Sequence, residues 1–335
     1  MNHKDANPKE QFLSVLHGDA PSRWLGYAFH AFPPGFPVIW DSVTMLDAAN
    51  SGTYVDLWGA TWRHDESDPG AIPIVTQENK VIKDLKNWRD YVKFPDLTGL
   101  DWTGTDAQLS HVDREKFFVM VPSFYGPFER LHALMPFDEV LLSMYDEPEL
   151  VYEILSALTD WKIEALGRVI DHVKPDIIHS HDDWGSKTSL FFSPAMFREV
   201  LKPHYTRLYR YIKSRGVLVQ HHADCFCQGL ERDMVDMGID MWQGAVPSND
   251  IVQMIKNTEG KLLILGGIDQ EIIDHADADE ADIRAEVRRA IDAYAPAGSY
   301  LPCAASVVPV HDGILDIVVD ECDKYGEIWL RSHSE

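Results

Sequence analysis

The pattern of apolar and polar positions is regular from residue 117 to the end of the chain. Short, almost continuous apolar runs are typical of strands buried on both faces, and between them apolar residues recur with the spacing of amphipathic helices. The pattern predicts strands at 117–122, 176–181, 217–224, 239–244, 261–269 and 298–304. It predicts helices at 137–145, 149–172, 193–215, 228–237, 249–257, 279–294 and 312–324.

Strands that alternate with helices indicate a parallel sheet with helical crossovers. With a further strand predicted at 23–29, the count approaches eight. We therefore expect one α/β domain over residues 1–335, a (β/α)8 TIM barrel, and an open doubly wound sheet is the alternative. No G-x-G-x-x-G segment follows a predicted strand, so the sequence does not support a dinucleotide-binding fold.

The first part of the chain departs from this rhythm. Residues 8–17 are predicted to form a short amphipathic helix, and residues 72–83 a small hairpin. Residues 31–75 are rich in proline, glycine and tryptophan, and they are too many for a loop without structure in a compact domain. We interpret 31–75 as a lid or N-terminal elaboration that covers the mouth of the barrel.

The charge balance limits the classes of partner. The chain has 54 acidic and 30 basic residues and a formal net charge of −24. Such an acidic surface argues against binding to nucleic acid or to anionic membranes, and against a polyanionic substrate. A polar N-terminus, the lack of an apolar run of about 18 residues and four cysteines without a disulfide framework favour a cytoplasmic protein.

The segment 217–227, VLVQHHADCFC, is a predicted strand that ends in metal-binding residue types. Because side chains alternate along a strand, His222 and Asp224 share a face and lie about 6–7 Å apart, close enough to reach one ion. Cys303 ends another predicted strand and could complete such a site. Histidine 221 is expected to face the helices, and Cys225 and Cys227 are interpreted as small residues of a turn.

Polar side chains follow most of the other predicted strands as well. Because active sites of TIM barrels lie at the carboxyl ends of the strands, we expect these side chains to meet. Asp182 and Asp183 lie on opposite faces, so at most one of them points inward, and capping of the loop is as good an interpretation of Asp182 as catalysis. The candidate catalytic residues are His179, His181, Asp182 and Asp224, and the candidate substrate-binding residues are His30, Tyr125, Trp242, Gln243 and Asp269.

Several segments together resemble the uroporphyrinogen decarboxylase superfamily. They include DLWGATW (56–62), VIKDLKNWRDYVKFP (81–95), the segment from HDDWG to HYTRL (181–208), the His-x-Asp of HHAD, MGID (237–240) and LILGGID (263–269). The resemblance covers nearly the whole chain, and it implies a TIM barrel with a funnel-shaped site.

Within that superfamily the chain looks more like the cobalamin-dependent methyltransferases than the porphyrinogen decarboxylase. The decarboxylase has an arginine-rich N-terminal segment that meets substrate carboxylates, whereas the matching region here offers only Arg23. The methyltransferases bind zinc through a His-x-Cys pair and a distant cysteine. His222 and Cys303 match two of these ligands, and Asp224 stands where the pair would have cysteine.

The resemblance implies a zinc-dependent methyltransferase, an O-demethylase component, that moves a methyl group from a small methylated donor, an aryl methyl ether, to the cobalt of a corrinoid protein. His222, Asp224 and Cys303 would hold Zn2+. Transfer from the corrinoid to a thiol is the nearest alternative. A metal-free decarboxylase with Asp182 or Asp224 as proton-handling group is a second class, and a non-catalytic barrel that binds a tetrapyrrole or a partner is a third.

Overall fold

The computed structural model describes residues 8–17, 52–64, 71–306 and 311–333. These ranges contain a three-stranded antiparallel sheet and a six-stranded parallel sheet. The antiparallel strands are β1 (Gly52–Val55), β2 (Thr61–His64) and β3 (Ile72–Pro73). The parallel strands are β4 (Met120–Ser123), β5 (Ile177–His181), β6 (Leu218–His222), β7 (Met241–Ala245), β8 (Leu263–Ile268) and β9 (Tyr300–Ala304).

The order of the parallel strands settles the choice between barrel and open sheet. Each described strand pairs with the next along the chain, from β4 to β9, and every pair is parallel. A doubly wound sheet reverses its order at one point, and no reversal occurs among the described strands. The fold is therefore that of a TIM barrel, and the doubly wound alternative is wrong.

Helices connect these strands, and those predicted from residue 137 onward are present, whereas helices at 103–109, 127–134 and 270–273 were not predicted. The longest begins with Pro148, whose missing N–H costs nothing in the first helical turn, and it runs to Val173. The described α-helices are α1 (Pro8–Leu16), α2 (Thr103–Leu109), α3 (Pro127–Leu134), α4 (Phe137–Asp146), α5 (Pro148–Val173), α6 (Pro194–Met196), α7 (Lys202–Ser214), α8 (Glu231–Met237), α9 (Ile251–Asn257), α10 (Gln270–Ile273), α11 (Glu280–Tyr294) and α12 (Ile314–Ser332).

A buried ion pair joins the small antiparallel sheet to the barrel. Arg130 on α3 lies 2.7 Å from Asp56, and both side chains are almost fully buried. Asp56 also accepts the indole N–H of Trp62 on β2. A pair in this setting requires both partners, because removal of one leaves a buried charge without its counter-charge. The sheet is therefore held against the start of α3.

The hairpin predicted at 72–83 is wrong. Residues 72–73 pair with β2 as its third strand, and the chain beyond them turns away. The backbone N–H groups of Val81 and Ile82 instead donate to the carbonyl of Leu134 at the end of α3. The weak alternation of 72–83 reflects contacts with a helix rather than with a returning strand.

The predicted strand 23–29, His30 and most of the predicted lid 31–75 lie outside the described residues. The part of the lid that is described forms β1, β2 and β3. Among the described helices, none has both the length and the apolar character that a membrane span requires.

Candidate active site

The carboxyl ends of β5, β6 and β7 bring the central site residues together. Strand register pairs His181 with His222, and His222 with Gln243. Neighbours paired in a parallel sheet present their side chains on the same face. The His181 and His222 rings stack with centroids 4.6 Å apart, and the His179 ring lies 5.4 Å from that of His222.

All three histidines of this group are held through Nδ1. His179 Nδ1 lies 2.6 Å from Gln220 Oε1, and His181 Nδ1 lies 2.8 Å from Glu129 Oε2. His222 Nδ1 donates to the side-chain oxygen of Gln243. Because each Nδ1 carries the proton of its hydrogen bond, the Nε2 edge of each ring is the edge available for chemistry.

Glu129 and His181 form a charged pair. Burial alone would lower the pKa of His181, but the carboxylates of Glu129, Asp183 and Asp224 outweigh burial and raise the pKa to about 10. Burial would likewise raise the pKa of Glu129, but the positive charge of His181 and its hydrogen bond lower the pKa to about 2. At neutral pH the site therefore contains a carboxylate and an imidazolium in contact.

The other two histidines are neutral. Burial and the charge of His181 lower the pKa of His222 to about 3, against the hydrogen bond to Gln243. Burial and the neighbouring histidines lower the pKa of His179 to about 3 as well. A neutral ring with Nδ1–H leaves a lone pair on Nε2, which can accept a proton or bind a metal.

Two further carboxyl groups meet beside the histidine array, which consists of His179, His181 and His222. The backbone N–H of Asp224 donates to Asp183 Oδ1 at 3.1 Å, and the two side chains are hydrogen-bonded. Burial, with Glu129 and Asp224 close by, raises the pKa of Asp183 well above its usual value, against the opposing effect of His181. The predicted residue Asp224 therefore lies in the site, where its hydrogen bonds with Asp183 hold it.

Asp182 points away from the site, in contrast to its prediction as a catalytic residue. The side chain is fully buried, and it accepts hydrogen bonds from the backbone N–H groups of Phe128 and Glu129 at 3.0 Å and from the hydroxyl of Tyr205. The first helical N–H groups have no partner within their own helix, and Asp182 satisfies two of them. Its role is to fix the start of α3.

Two of the predicted substrate-binding residues also lie elsewhere. Trp242 pairs in register with His221 on the face toward the helices, and its indole N–H donates to the carbonyl of Ala223. The oxygen of Asp269 caps α10 by accepting the N–H of Glu271, so the side chain stays at the rim. His221 faces the helices as expected, with Nδ1 2.9 Å from the hydroxyl of Tyr209.

The remaining predicted residues surround the array. Gln243 donates to Cys303 Sγ at 3.4 Å and to two backbone carbonyls. The Tyr125 ring lies 6.5 Å from that of His181, and the left-handed backbone of Tyr125, with φ of 54°, turns the chain there. Cys225 and Cys227 are buried in the turn after β6.

The donor types of the predicted zinc ligands fit the metal. His222 offers nitrogen, Asp224 oxygen and Cys303 sulfur, all of which zinc accepts. His222 donates its Nδ1–H to an amide oxygen, as metal-bound histidines usually do. Their ligand atoms do not gather within 4.8 Å of one another in the described chain, where the Gln243 amide contacts both His222 and Cys303.

A different trio does gather within that distance: Glu129, His181 and Asp183. Without a bound metal, the raised pKa of His181 keeps its ring doubly protonated, so the ring has no free lone pair. We therefore interpret this trio as an ion pair with a neighbouring acid.

Basic side chains near the site are already engaged. Arg130 is paired with Asp56, and Lys162 Nζ donates to the carbonyls of Phe124 and Tyr125, each at 2.8 Å. Neither cation can bind a substrate carboxylate without breaking these contacts. The described part of the site therefore suits a neutral substrate better than a polycarboxylate.

Glu129, Asp183 and Gln220 also belong to the site, although none of them is among the candidate catalytic, substrate-binding or metal-binding residues. The signal for Glu129 was the segment Gly126-Pro127, which starts a helix directly after a strand and places an acid in its first turn. Asp183 lies two positions after His181, so strand alternation alone predicts that both side chains point to the same face. Gln220 lies two positions before His222, and strand alternation likewise predicts that they share a face.

Comparison with solved structures finds one methyltransferase of the same fold among the matches. A methyltransferase from Methanosarcina mazei superposes with a TM-score of 0.61 at 14% identity, covering 96% of this chain and 99% of that one. Xanthomonas albilineans dihydropteroate synthase with 4-aminobenzoic acid matches 43% of this chain and 52% of its own, at 14% identity and a TM-score of 0.31. The search of curated proteins returns no significant match.

Comparison with family models identifies the chain at the level of sequence. The model described as "Uroporphyrinogen decarboxylase (URO-D)" matches residues 67–309. This range includes β4 to β9 and all the described residues of the histidine array. The family therefore agrees with the barrel topology and with the position of the site, and the chain belongs to the uroporphyrinogen decarboxylase (URO-D) family.

Proposed function

We propose that this protein is a methyltransferase that removes the methyl group of a small, neutral aryl methyl ether and delivers it to the cobalt of a corrinoid protein. The observation that carries the proposal is the partly buried Glu129–His181 ion pair at the strand ends. In this proposal the pair supplies a proton donor of matched strength to the ether oxygen.

The poor leaving group is the central difficulty of this reaction. When the carbon–oxygen bond breaks, its electron pair goes to oxygen, and the cobalt(I) acceptor supplies the pair for the new bond to the methyl carbon. The imidazolium of His181 donates its Nε2 proton to the oxygen, so that a phenol leaves instead of a phenolate. The pKa of His181, about 10, is close to that of a phenol, about 10, so the proton passes between groups of similar acid strength.

Glu129 has the supporting role in this step. It holds the Nδ1 proton of His181 at 2.8 Å and maintains the positive charge of the ring in a buried setting. After the transfer, His181 recovers a proton from solvent, since its side chain remains 20% exposed.

We include in the proposal a zinc ion held by His222, Asp224 and Cys303, which would supply Lewis acidity at the ether oxygen while His181 provides the proton. The prediction is about one zinc per chain in protein purified without chelator. His222→Ala and Cys303→Ser should each remove most of it, because a site of three protein ligands is weak without one of them, whereas Glu129→Gln should retain it. Zinc loss in Glu129→Gln with retention in both other variants would instead assign the metal to the Glu129 trio.

The role of His181 is tested by varying the leaving group. His181→Gln should slow demethylation of unsubstituted methoxybenzene by about 10²–10⁴-fold, the usual contribution of a general acid. The loss should shrink for ethers with electron-withdrawing ring substituents, since their phenolates leave without a proton. His172→Gln, which removes a surface histidine paired with Asp106, is the matched control. An equal loss across the ether series would reject His181 as the acid.

A further inference from the structure

A second polar pair lies deeper in the barrel and is not used by the proposed proton transfer. His179 on β5 and Gln220 on β6 are paired in strand register, one pleat below His181 and His222. They share the strand phase of those residues, so they face the interior of the barrel. Their exposed fractions are 2% and 1%.

One polar atom of each residue is left without a partner. His179 Nδ1–H donates to Gln220 Oε1 at 2.6 Å. His179 Nε2 and Gln220 Nε2 are buried, and neither has a hydrogen-bond partner among the residues that the structure describes. Buried polar atoms are nearly always paired, so two such atoms on bonded neighbours indicate a site for a polar group.

The chemistry of the missing group follows from the two atoms. His179 Nε2 is an acceptor, because the ring is neutral and its proton is on Nδ1, and Gln220 Nε2 is a donor. Turning the Gln220 amide over would exchange these roles, and one donor and one acceptor would still remain. A hydroxyl group both donates and accepts, and it satisfies the pair; a methyl ether oxygen only accepts.

The surroundings of the pair select a neutral, apolar molecule. Pro122 and Met241 pair in register with His179 and Gln220, and Leu263 pairs with Met241, so all three have the phase of the interior. Met241 and Leu263 are buried. A carboxylate would find no cation among these residues, whereas an aromatic ring would find apolar walls.

We propose that His179 and Gln220 form a binding site for the hydroxyl group of a phenol. If the ring is the methyl donor, which rests on the function proposed above, the substrates are methoxyphenols, with the hydroxyl group at the floor and the methoxy group toward His181. The hydroxyl site itself does not depend on that reaction, and it is tested by binding alone.

The first experiment compares phenol, methoxybenzene and benzoate by isothermal titration calorimetry on the full chain, without corrinoid. Phenol should bind at least about tenfold more tightly than methoxybenzene, since a site built around a hydroxyl group discriminates strongly against ligands that lack it. Benzoate should bind more weakly than phenol. Equal affinities for phenol and methoxybenzene would overturn the site.

The second experiment removes the donor with little change in shape. Gln220→Met should abolish the preference for phenol. Gln253→Met, at a surface residue whose amide donates to Asn257, should leave it intact. A folded Gln220→Met variant that still prefers phenol about tenfold would contradict the proposal.

A third measurement needs no variant at the site. In protein with 15N-labelled histidine, phenol should shift the Nε2 resonance of His179 as the nitrogen gains a hydrogen bond, and methoxybenzene should not. Phenol that binds without moving this resonance would locate its site elsewhere and reject the inference. Selective phenol binding in a protein that transfers no methyl group would retain the site and reject only the proposed reaction.

Discussion

Glu129 and His181 depend on each other for their charges. Neither would be ionised so readily alone in a buried site, because burial opposes the charged form of each. Removing the carboxylate should therefore lower the pKa of His181 from about 10 to a value below that of a free histidine. The charge of His181 is a property of the pair.

We predict the pH dependence of Glu129→Gln from this coupling. A lowered carboxyl pKa stabilises the fold above its ordinary value of 4.5, and the effect is lost as the pH falls through about 2. A raised histidine pKa stabilises below the ordinary 6.5, and the effect is lost as the pH rises through about 10. The stability difference between wild type and variant should be largest between these ordinary values and shrink toward pH 10.

Urea unfolding at several pH values measures this difference, and NMR titration of His181 measures its pKa directly. Glu164→Gln, which removes an exposed carboxylate paired with Arg168, is the control and should show little dependence. A His181 pKa that is unchanged in Glu129→Gln would show that the imidazolium does not require its partner.

At the scale of elements, the approach of α3 to the loop after β5 shapes the site. Gly126 precedes the helix, and its N–H donates to the carbonyl of His181 at 2.7 Å. A Cβ atom at this position would lie 2.0 Å from Asp182 Oδ2, and Asp182 is fixed by its own hydrogen bonds. Only glycine permits this close contact between helix start and loop.

Gly126→Ala should therefore destabilise the protein by about 1–3 kcal/mol, the usual cost of an overpacked contact. Gly104→Ala is the matched control, because Gly104 lies within α2 and a Cβ there meets nothing within 4 Å. It should be neutral or stabilise by up to about 1 kcal/mol through helix propensity. Equal unfolding midpoints for the two variants in urea would argue that the contact at Gly126 is loose.

Strand alternation predicted much of the site, and its limits are visible in particular residues. His179, His181 and His222 share the phase that brings them together, and Cys303 reaches Gln243 as expected of strand ends. The same alternation predicts that Asp182 and Trp242 point outward, because each is the direct neighbour of a residue that points inward. The structure agrees with the alternation and not with their prediction as site residues.

The contact of Glu129 with His181 could not be assigned in this way. This contact joins residues 52 positions apart, and it depends on how α3 docks on the barrel, which no local pattern encodes. The buried pairing of Arg130 with Asp56 spans 74 positions and has the same origin. Contacts of this kind follow from the assembled fold, whereas strand phase follows from the chain alone.

At the scale of the whole molecule, the proposed function requires the substrate and the methyl acceptor to use the same entrance of the barrel. TIM-barrel interiors are packed with side chains, so a methyl group must leave through the end where His181 and His222 lie. The corrinoid partner would therefore dock over the carboxyl ends of the strands. With a net charge of −24 on this chain, we expect docking to weaken with salt only when the partner presents a basic face.

The most direct test of the proposed function is the requirement for this acceptor. Purified protein is incubated with an aryl methyl ether, first alone and then with a cobalt(I) corrinoid, free or protein-bound, and phenol, methylated corrinoid and CO2 are measured. The proposal predicts no phenol without corrinoid, and equal amounts of phenol and methylated corrinoid with it. Phenol formation that needs no corrinoid would contradict methyl transfer to cobalt. In a parallel incubation with a carboxylated substrate, product formation with release of CO2 and without any corrinoid would establish the alternative lyase.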